Sequence, residues 1–108
     1  MKNNERALQL WSVLVLAARH HEILSYHMIE KLTGIPKHAM GSYLDLVYNY
    51  CDSKEWPPLV ILAVNERDGR PGTTFWQGKD IDALQARVFV FDWLKHKPPT
   101  PQDFKKSN

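Results

Sequence analysis

Residues 25–44 read Ser-Tyr-His-Met-Ile-Glu-Lys-Leu-Thr-Gly-Ile-Pro-Lys-His-Ala-Met-Gly-Ser-Tyr-Leu, and the fold is decided there. Ser25 is an N-cap residue type, because its hydroxyl can accept from the unpaired amides of the turn that follows. A helix over residues 26–33 is predicted, with Met28, Ile29 and Leu32 as its buried stripe. Gly34 ends it, since glycine enters the left-handed conformation of a helix terminus at little cost. Pro36 suits the first turn of a new helix, where the missing amide costs nothing. Met40, Tyr43, Leu44 and Val47, with Tyr50 or Cys51, then repeat at helical spacing to about residue 53. Two short helices joined at a tight glycine corner have the spacing of a helix-turn-helix, whose second helix presents its N-terminal residues to a DNA groove.

Working outward, Ala7, Leu8, Trp11, Leu14, Val15 and Ala18 predict a preceding helix over residues 5–19, with Asn4 as its cap. After the second helix-turn-helix element, Pro57 and Pro58 forbid continuation. The run Leu59-Val60-Ile61-Leu62-Ala63-Val64 is rich in β-branched residues and reads as a buried strand. Residues 65–72 contain an Asp-Gly turn signal, and residues 73–76 can return as a second strand, giving a hairpin with a charged tip. Ile81, Leu84, Val88 and Phe91 predict a last helix that starts at Asp80 and ends near Leu94. The expected fold class is α+β: a winged helix-turn-helix of three helices and a β-hairpin, plus a C-terminal helix. Residues 1–94 form this domain, and residues 95–108, rich in Pro and Lys, form an extended basic arm that Phe104 can pin.

A chain of 108 residues with 44% hydrophobic residues and twelve aromatics can build a core of its own, which excludes the disordered classes. One cysteine excludes an internal disulfide and a cysteine-cluster zinc site. The polar start favours the cytoplasm over secretion, and the apolar runs at residues 11–18 and 57–64 fall far short of the about 20 residues a membrane helix needs. The net charge of +2 is unevenly spread: residues 95–108 carry +3 and residues 1–94 carry −1. Basic character is therefore mostly a property of the tail, and phosphate attraction by the body is weak.

The segments Ser25-Tyr26-His27 and Gly34-Ile35-Pro36-Lys37-His38-Ala39-Met40-Gly41-Ser42-Tyr43-Leu44 resemble the DNA-binding helix-turn-helix of the O6-alkylguanine-DNA alkyltransferase C-terminal domain and its alkyltransferase-like relatives. That family reads Thr-Tyr-Gly, then Pro-x-Ala-Arg-Ala-Val-Gly-x-Ala-Leu. The resemblance implies that Tyr26 stands for the tyrosine that helps turn out a nucleotide, and His38 for the arginine that fills the gap. It implies that Gly41 lets the helix lie close to its neighbours. The family's Pro-Cys-His-Arg nucleophile motif should fall within or just after residues 60–65, which hold neither cysteine nor histidine. The resemblance, over residues 25–75, therefore implies fold and groove docking without alkyl transfer. Tyr50-Cys51, Pro57-Pro58-Leu59, Val64-Asn65, Gly69-Arg70-Pro71-Gly72, Phe75, Phe91-Asp92-Trp93 and Pro99-Thr100-Pro101 also resemble a group of small bacterial and phage proteins, which implies a shared fold and no reaction.

Other constellations are accounted for by plainer duties. His20, His21 and His27 have no acidic or cysteine partner at fixed spacing and read as helix-end residues, so no metal or cofactor is expected. Cys51 lies on a helix stripe and reads as a buried thiol. Glu66, Asp68, Asp80 and Asp82 occupy turn and cap positions. Two function classes follow. The first is a small non-enzymatic DNA-binding protein, regulatory or accessory, that contacts duplex DNA through Tyr26, Lys37, His38 and Ser42, with Arg67 and Arg70 of the wing on phosphate. The second is a protein-interaction module on the same fold, an adaptor or inhibitor, with Trp56 and Trp76 as half-exposed anchors.

Overall fold

A computed structural model describes residues 3–72 and 76–104. The glycine corner forms as its chemistry requires. Helix α1 (Asn3–Arg19) precedes a short strand β1 (Leu24–Ser25), and helix α2 (Tyr26–Thr33) starts where the Ser25 hydroxyl accepts the Met28 amide at 3.0 Å. Gly34 takes φ +76° and its amide donates to the Glu30 carbonyl at 2.7 Å. The Thr33 hydroxyl donates to the Ile29 carbonyl at 2.8 Å and accepts the Ile35 amide at 3.1 Å. Arg6 of α1 donates to the Thr33 carbonyl at 2.8 Å. The corner is thus tied to α1 as well as to itself. Helix α3 (Lys37–Ser53) follows, with Pro36 at the cap position rather than inside the first turn.

α1 and α3 pack through Leu10, Leu14, Met40 and Val47, all fully buried or nearly so. The expected α2 stripe is corrected: Ile29 and Thr33 are the buried residues, whereas Met28 and Leu32 are 44% and 58% exposed. An eight-residue helix packed on one side buries one i, i+4 row, and here that row is the one that closes the corner.

The expected strand over residues 59–64 is also corrected. Residues Leu59–Leu62 form a 3-10 turn, and only Ala63–Val64 is strand, β2. β2 pairs in parallel with β1, Leu24 opposite Ala63 and Ser25 opposite Val64. A short apolar run does not distinguish a buried strand from a buried helical turn. Here the run is enclosed on all sides, and the turn satisfies its own backbone, the Ile61 amide donating to the Pro58 carbonyl at 3.1 Å. Gln85 takes up the Ile61 carbonyl from helix α4 (Ile81–Val90). Residues 73–75 of the expected return strand lie outside the described residues, and Trp76 begins a helical turn.

Helix α4 is shorter than the period implied, and only Val88 of its stripe is fully buried. Beyond it a 3-10 turn, Trp93–Lys95, buries Trp93, and a second, Pro101–Asp103, leads to Phe104. The Phe104 ring lies 6.3 Å from Trp11 and 5.4 Å from Tyr50. The segment expected to be an extended arm is therefore packed on α1 as far as Phe104; Lys105 and Lys106 lie outside the described residues. The domain is α+β, with four helices and one two-stranded parallel sheet among the described residues. None of the described helices is long and apolar enough to cross a membrane.

Candidate nucleic-acid interface

Because β1 and β2 are parallel, the α2–α3 connection crosses over and brings residues 65–72 back beside the starts of both helices. That loop closes on itself. The Asn65 amide donates to the Arg70 carbonyl at 2.8 Å, the Gly69 amide to the Asn65 carbonyl at 2.9 Å, and the Arg70 amide to the Asp68 carboxylate at 3.0 Å. It is also fastened outward. The Gly72 amide donates to the Tyr26 hydroxyl at 3.0 Å, His27 Nδ1 lies 3.8 Å from the Glu66 carboxylate, and Arg70 meets Asp82 of α4 at 2.9 Å.

Between this loop, Tyr26 and the first two turns of α3 lies a cleft of about 270 Å³. Its floor is apolar, from Met40, Leu44 and Val60, and its rim carries Tyr26, Lys37, Asp45 and Asn65. Burial raises the pKa of the Tyr26 phenol, and it raises that of the Asp45 carboxyl. Lys37 also borders a second, polar hollow against Asn65, Glu66, Arg67 and Asp68. The two hollows share Lys37 of α3 and Asn65 of the loop.

Of the residues expected at a DNA site, Tyr26, Lys37 and Arg67 border these adjoining hollows, with Arg67 exposed. His38 and Ser42 are exposed on the outer side of α3, Ser42 donating to the Ala39 carbonyl at 3.2 Å, and they do not line the cleft. Arg70 is drawn toward α4 by Asp82 rather than held open for phosphate. Gly41 stands at the cleft wall, where an added Cβ would meet no atom within 4 Å; the close helix packing expected of it is not its role. Gly72 is the glycine at a close approach, since a Cβ there would fall 2.9 Å from the Asn65 side-chain Nδ2 and 3.4 Å from the Tyr26 ring.

Asp45, Val60, Asn65 and Gly72 were not singled out as site residues by the sequence. Val60 and Gly72 carry no chemical signal of their own, and Asp45 reads as a solvated helix position until the loop is placed opposite it. Of the two expected aromatic anchors, Trp76 is corrected. Trp76 is 5% exposed and its ring sits against Tyr48 at 5.9 Å. Trp56 is half-buried, with rings of Trp11, Tyr50, Phe91 and His96 around it. Trp76 is therefore core, whereas Trp56 keeps part of its surface exposed.

The charged residues that line the two hollows are Lys37 and Arg67 against Asp45, Glu66 and Asp68. Asp68 caps the loop turn and Asp80 caps α4, accepting the Ala83 amide at 3.0 Å, while Glu66 lies beside His27 and Asp82 pairs with Arg70. Cys51 is buried away from the cleft, and burial pushes its thiol up to about 12. No group of three or more metal-ligating side chains comes together among the described residues. Comparisons of the chain with protein-family models, with curated proteins and with solved structures gave no match in any of the three.

Proposed function

We propose that the protein binds duplex DNA without catalysing a reaction on it. The α2–α3 pair serves as a helix-turn-helix within a winged-helix type of domain, and the residues 65–72 loop takes the place of a wing. The observation that carries this reading is the joining of α3 to that loop at Lys37, with exposed Lys37 and Arg67 at the hollows and exposed His38 and Ser42 further round the first two turns of α3. The N-terminal turns of α3 supply base-edge contacts, and Lys37 and Arg67 supply phosphate contacts.

The cleft at Tyr26 gives the binding a preference. An apolar floor with a polar rim suits a flat group with apolar faces and hydrogen-bonding edges, which is the shape of an unstacked base. This agrees with the nucleotide-turning tyrosine that the resemblance implies for Tyr26. Residues 60–65, two of which border the cleft, offer no cysteine to accept an alkyl group.

Fluorescence anisotropy with labelled duplexes at two salt concentrations tests the reading, one duplex intact and one with a mispaired or abasic position. The damaged duplex should bind more tightly, because less unstacking has to be done. With two or three phosphate contacts the slope of log K against log salt should be about −2 to −3. No measurable binding of either duplex near ~100 mM salt overturns it.

A further inference from the structure

A second surface lies away from the cleft. The buried face of α1 is formed by Ala7, Leu10, Leu14, Ala17 and Ala18. Ser12, Leu16 and Arg19 fall on the opposite side, at spacings of three and four. Between that outer stripe and residues 93–98 runs a groove of about 550 Å³. Trp11 and Trp93 are buried beneath it, while Leu16 on one wall and Leu94 on the other are 61% and 62% exposed. Single exposed leucines are ordinary on a protein surface. Two that face one groove over two buried indoles make a continuous apolar strip, and such strips are where partners bind.

The charges around the strip select the partner. Among the described residues Arg19, His20 and His96 line the groove and no carboxylate does; outside the lining, exposed Lys95 and Lys97 follow Leu94, and exposed Glu22 and Asp92 lie two residues from His20 and Leu94. We propose that this groove docks an acidic amphipathic helix of another protein, its apolar residues on Leu16, Leu94 and the two indoles and its carboxylates on Arg19 and the 95–97 basic residues. A helix laid into an apolar groove is a recurrent mode of recognition, read through anchors at i, i+3 or i+4 and i+7. A second copy of this chain meeting groove to groove would bring Arg19 and Lys97 against the same groups, and like charges facing each other count against it. A nucleic acid finds no use for the two leucines. Together with the first surface, the groove makes the protein a link between DNA and an acidic partner, though it rests on different residues and stands or falls alone.

The probe is a labelled synthetic helical peptide of about four turns with Leu, Trp and Leu at i, i+4 and i+7 and glutamates on either flank, beside a counterpart with lysine at every glutamate. Anisotropy titration with the full chain should show the acidic peptide binding at least about tenfold more tightly than the lysine one. Leu16→Glu and Leu94→Glu, both at exposed positions, should each weaken it by about tenfold or more, with melting temperature and duplex binding unchanged. Arg19→Glu should narrow or reverse the preference between the two peptides. Equal binding of both peptides, no binding of the acidic one up to ~1 mM, or indifference to Leu94→Glu overturns the proposal. So does a dimer by light scattering that Leu16→Glu dissolves, which would give the groove to a second copy.

Discussion

The Tyr26 hydroxyl accepts the Gly72 amide at 3.0 Å across 46 positions of sequence, and this bond closes the wall of the cleft between α2 and the loop. The close approach of Gly72 to Asn65 and to the Tyr26 ring holds the loop end in the same place. The site is therefore assembled by a tertiary contact, not presented ready-made on one element.

Tyr26→Phe removes the acceptor and keeps the ring. The expected cost is about 0.5–1.5 kcal/mol, the ordinary net value of one hydrogen bond, measured by urea unfolding. The sharper readout is hydrogen exchange at the Gly72 amide, which should speed up in the variant while amides within α1 stay protected. Unchanged exchange at Gly72 would mean that the loop is held without the phenol.

Gly41 distinguishes two roles. If the helix needed a glycine for close packing, Gly41→Ala would destabilise it. Because a Cβ there meets nothing within 4 Å, the alanine variant should be more stable by about 0.5–1 kcal/mol, the usual difference between the two residues inside a helix. Gly41→Leu should keep the fold and fill the cleft, reducing the preference for a damaged duplex while sparing affinity for an intact one. A fall in melting temperature for Gly41→Ala would restore the close-packing role.

The helices could be read from local chemistry. Ser25, Gly34, Pro36 and Pro57 act on their immediate neighbours, so the limits of α2 and the end of α3 follow from the sequence around them. Residues 59–64 could not be read in that way. The choice between a strand and a 3-10 turn depends on what surrounds the run, and here Gln85 and β1 decide it. The same holds for the cleft. Lys37 and Tyr26 announce themselves by type and position, whereas Val60, Asn65 and Gly72 become site residues only through the parallel crossover. Trp76 shows the opposite error, in which an aromatic residue beside a polar stretch reads as half-exposed and is in fact core.

Phe104 should be a stability residue. It is buried against Trp11 and Tyr50, and truncating a buried phenylalanine costs about 3–5 kcal/mol. Phe104→Ala, or removal of residues 96–108, should lower the denaturation midpoint sharply, with a matching change in tryptophan fluorescence. A truncated chain that melts like the full one would show that the segment is an arm after all.

Alkaline pH tests the burial of Cys51. Its thiol rises from an ordinary 9.0 to about 12 in the fold, so folding favours the protonated form. A group with a raised folded-state pKa stabilises the fold fully below its unfolded value and loses that stabilisation as pH climbs toward the folded value. Stability should hold to about pH 9 and then fall towards pH 12, by roughly 4 kcal/mol for a shift of about three units. Tyr26 and Tyr50, also raised, act in the same direction. Cys51→Ala should flatten the part of this fall that begins near pH 9. In the native protein at pH 8 the thiol should resist iodoacetamide until the chain is unfolded. Rapid labelling of the folded protein contradicts the burial.

The two arginines of the loop separate the group proposed to face DNA from a structural one. Arg67 is exposed beside Lys37, whereas Arg70 sits 2.9 Å from Asp82. Lys37→Ala with His38→Ala should leave the fold intact, since both side chains are exposed, and should cost about 1–3 kcal/mol of duplex affinity through the lost His38 base-edge contact, with a shallower salt slope for the lost Lys37 phosphate contact. Arg67→Ala should make the salt slope shallower by about 0.9, the loss of one phosphate contact. Arg70→Ala should behave like Asp82→Ala instead, each lowering stability by no more than about 1 kcal/mol because the pair is exposed, with the double variant no worse than either single one. Neither should alter the salt slope. If Arg70→Ala flattens the slope as much as Arg67→Ala does while Asp82→Ala leaves it unchanged, Arg70 leaves its carboxylate for a phosphate in the complex. If all four variants bind duplex as the wild type does, the α3 face is not where DNA binds.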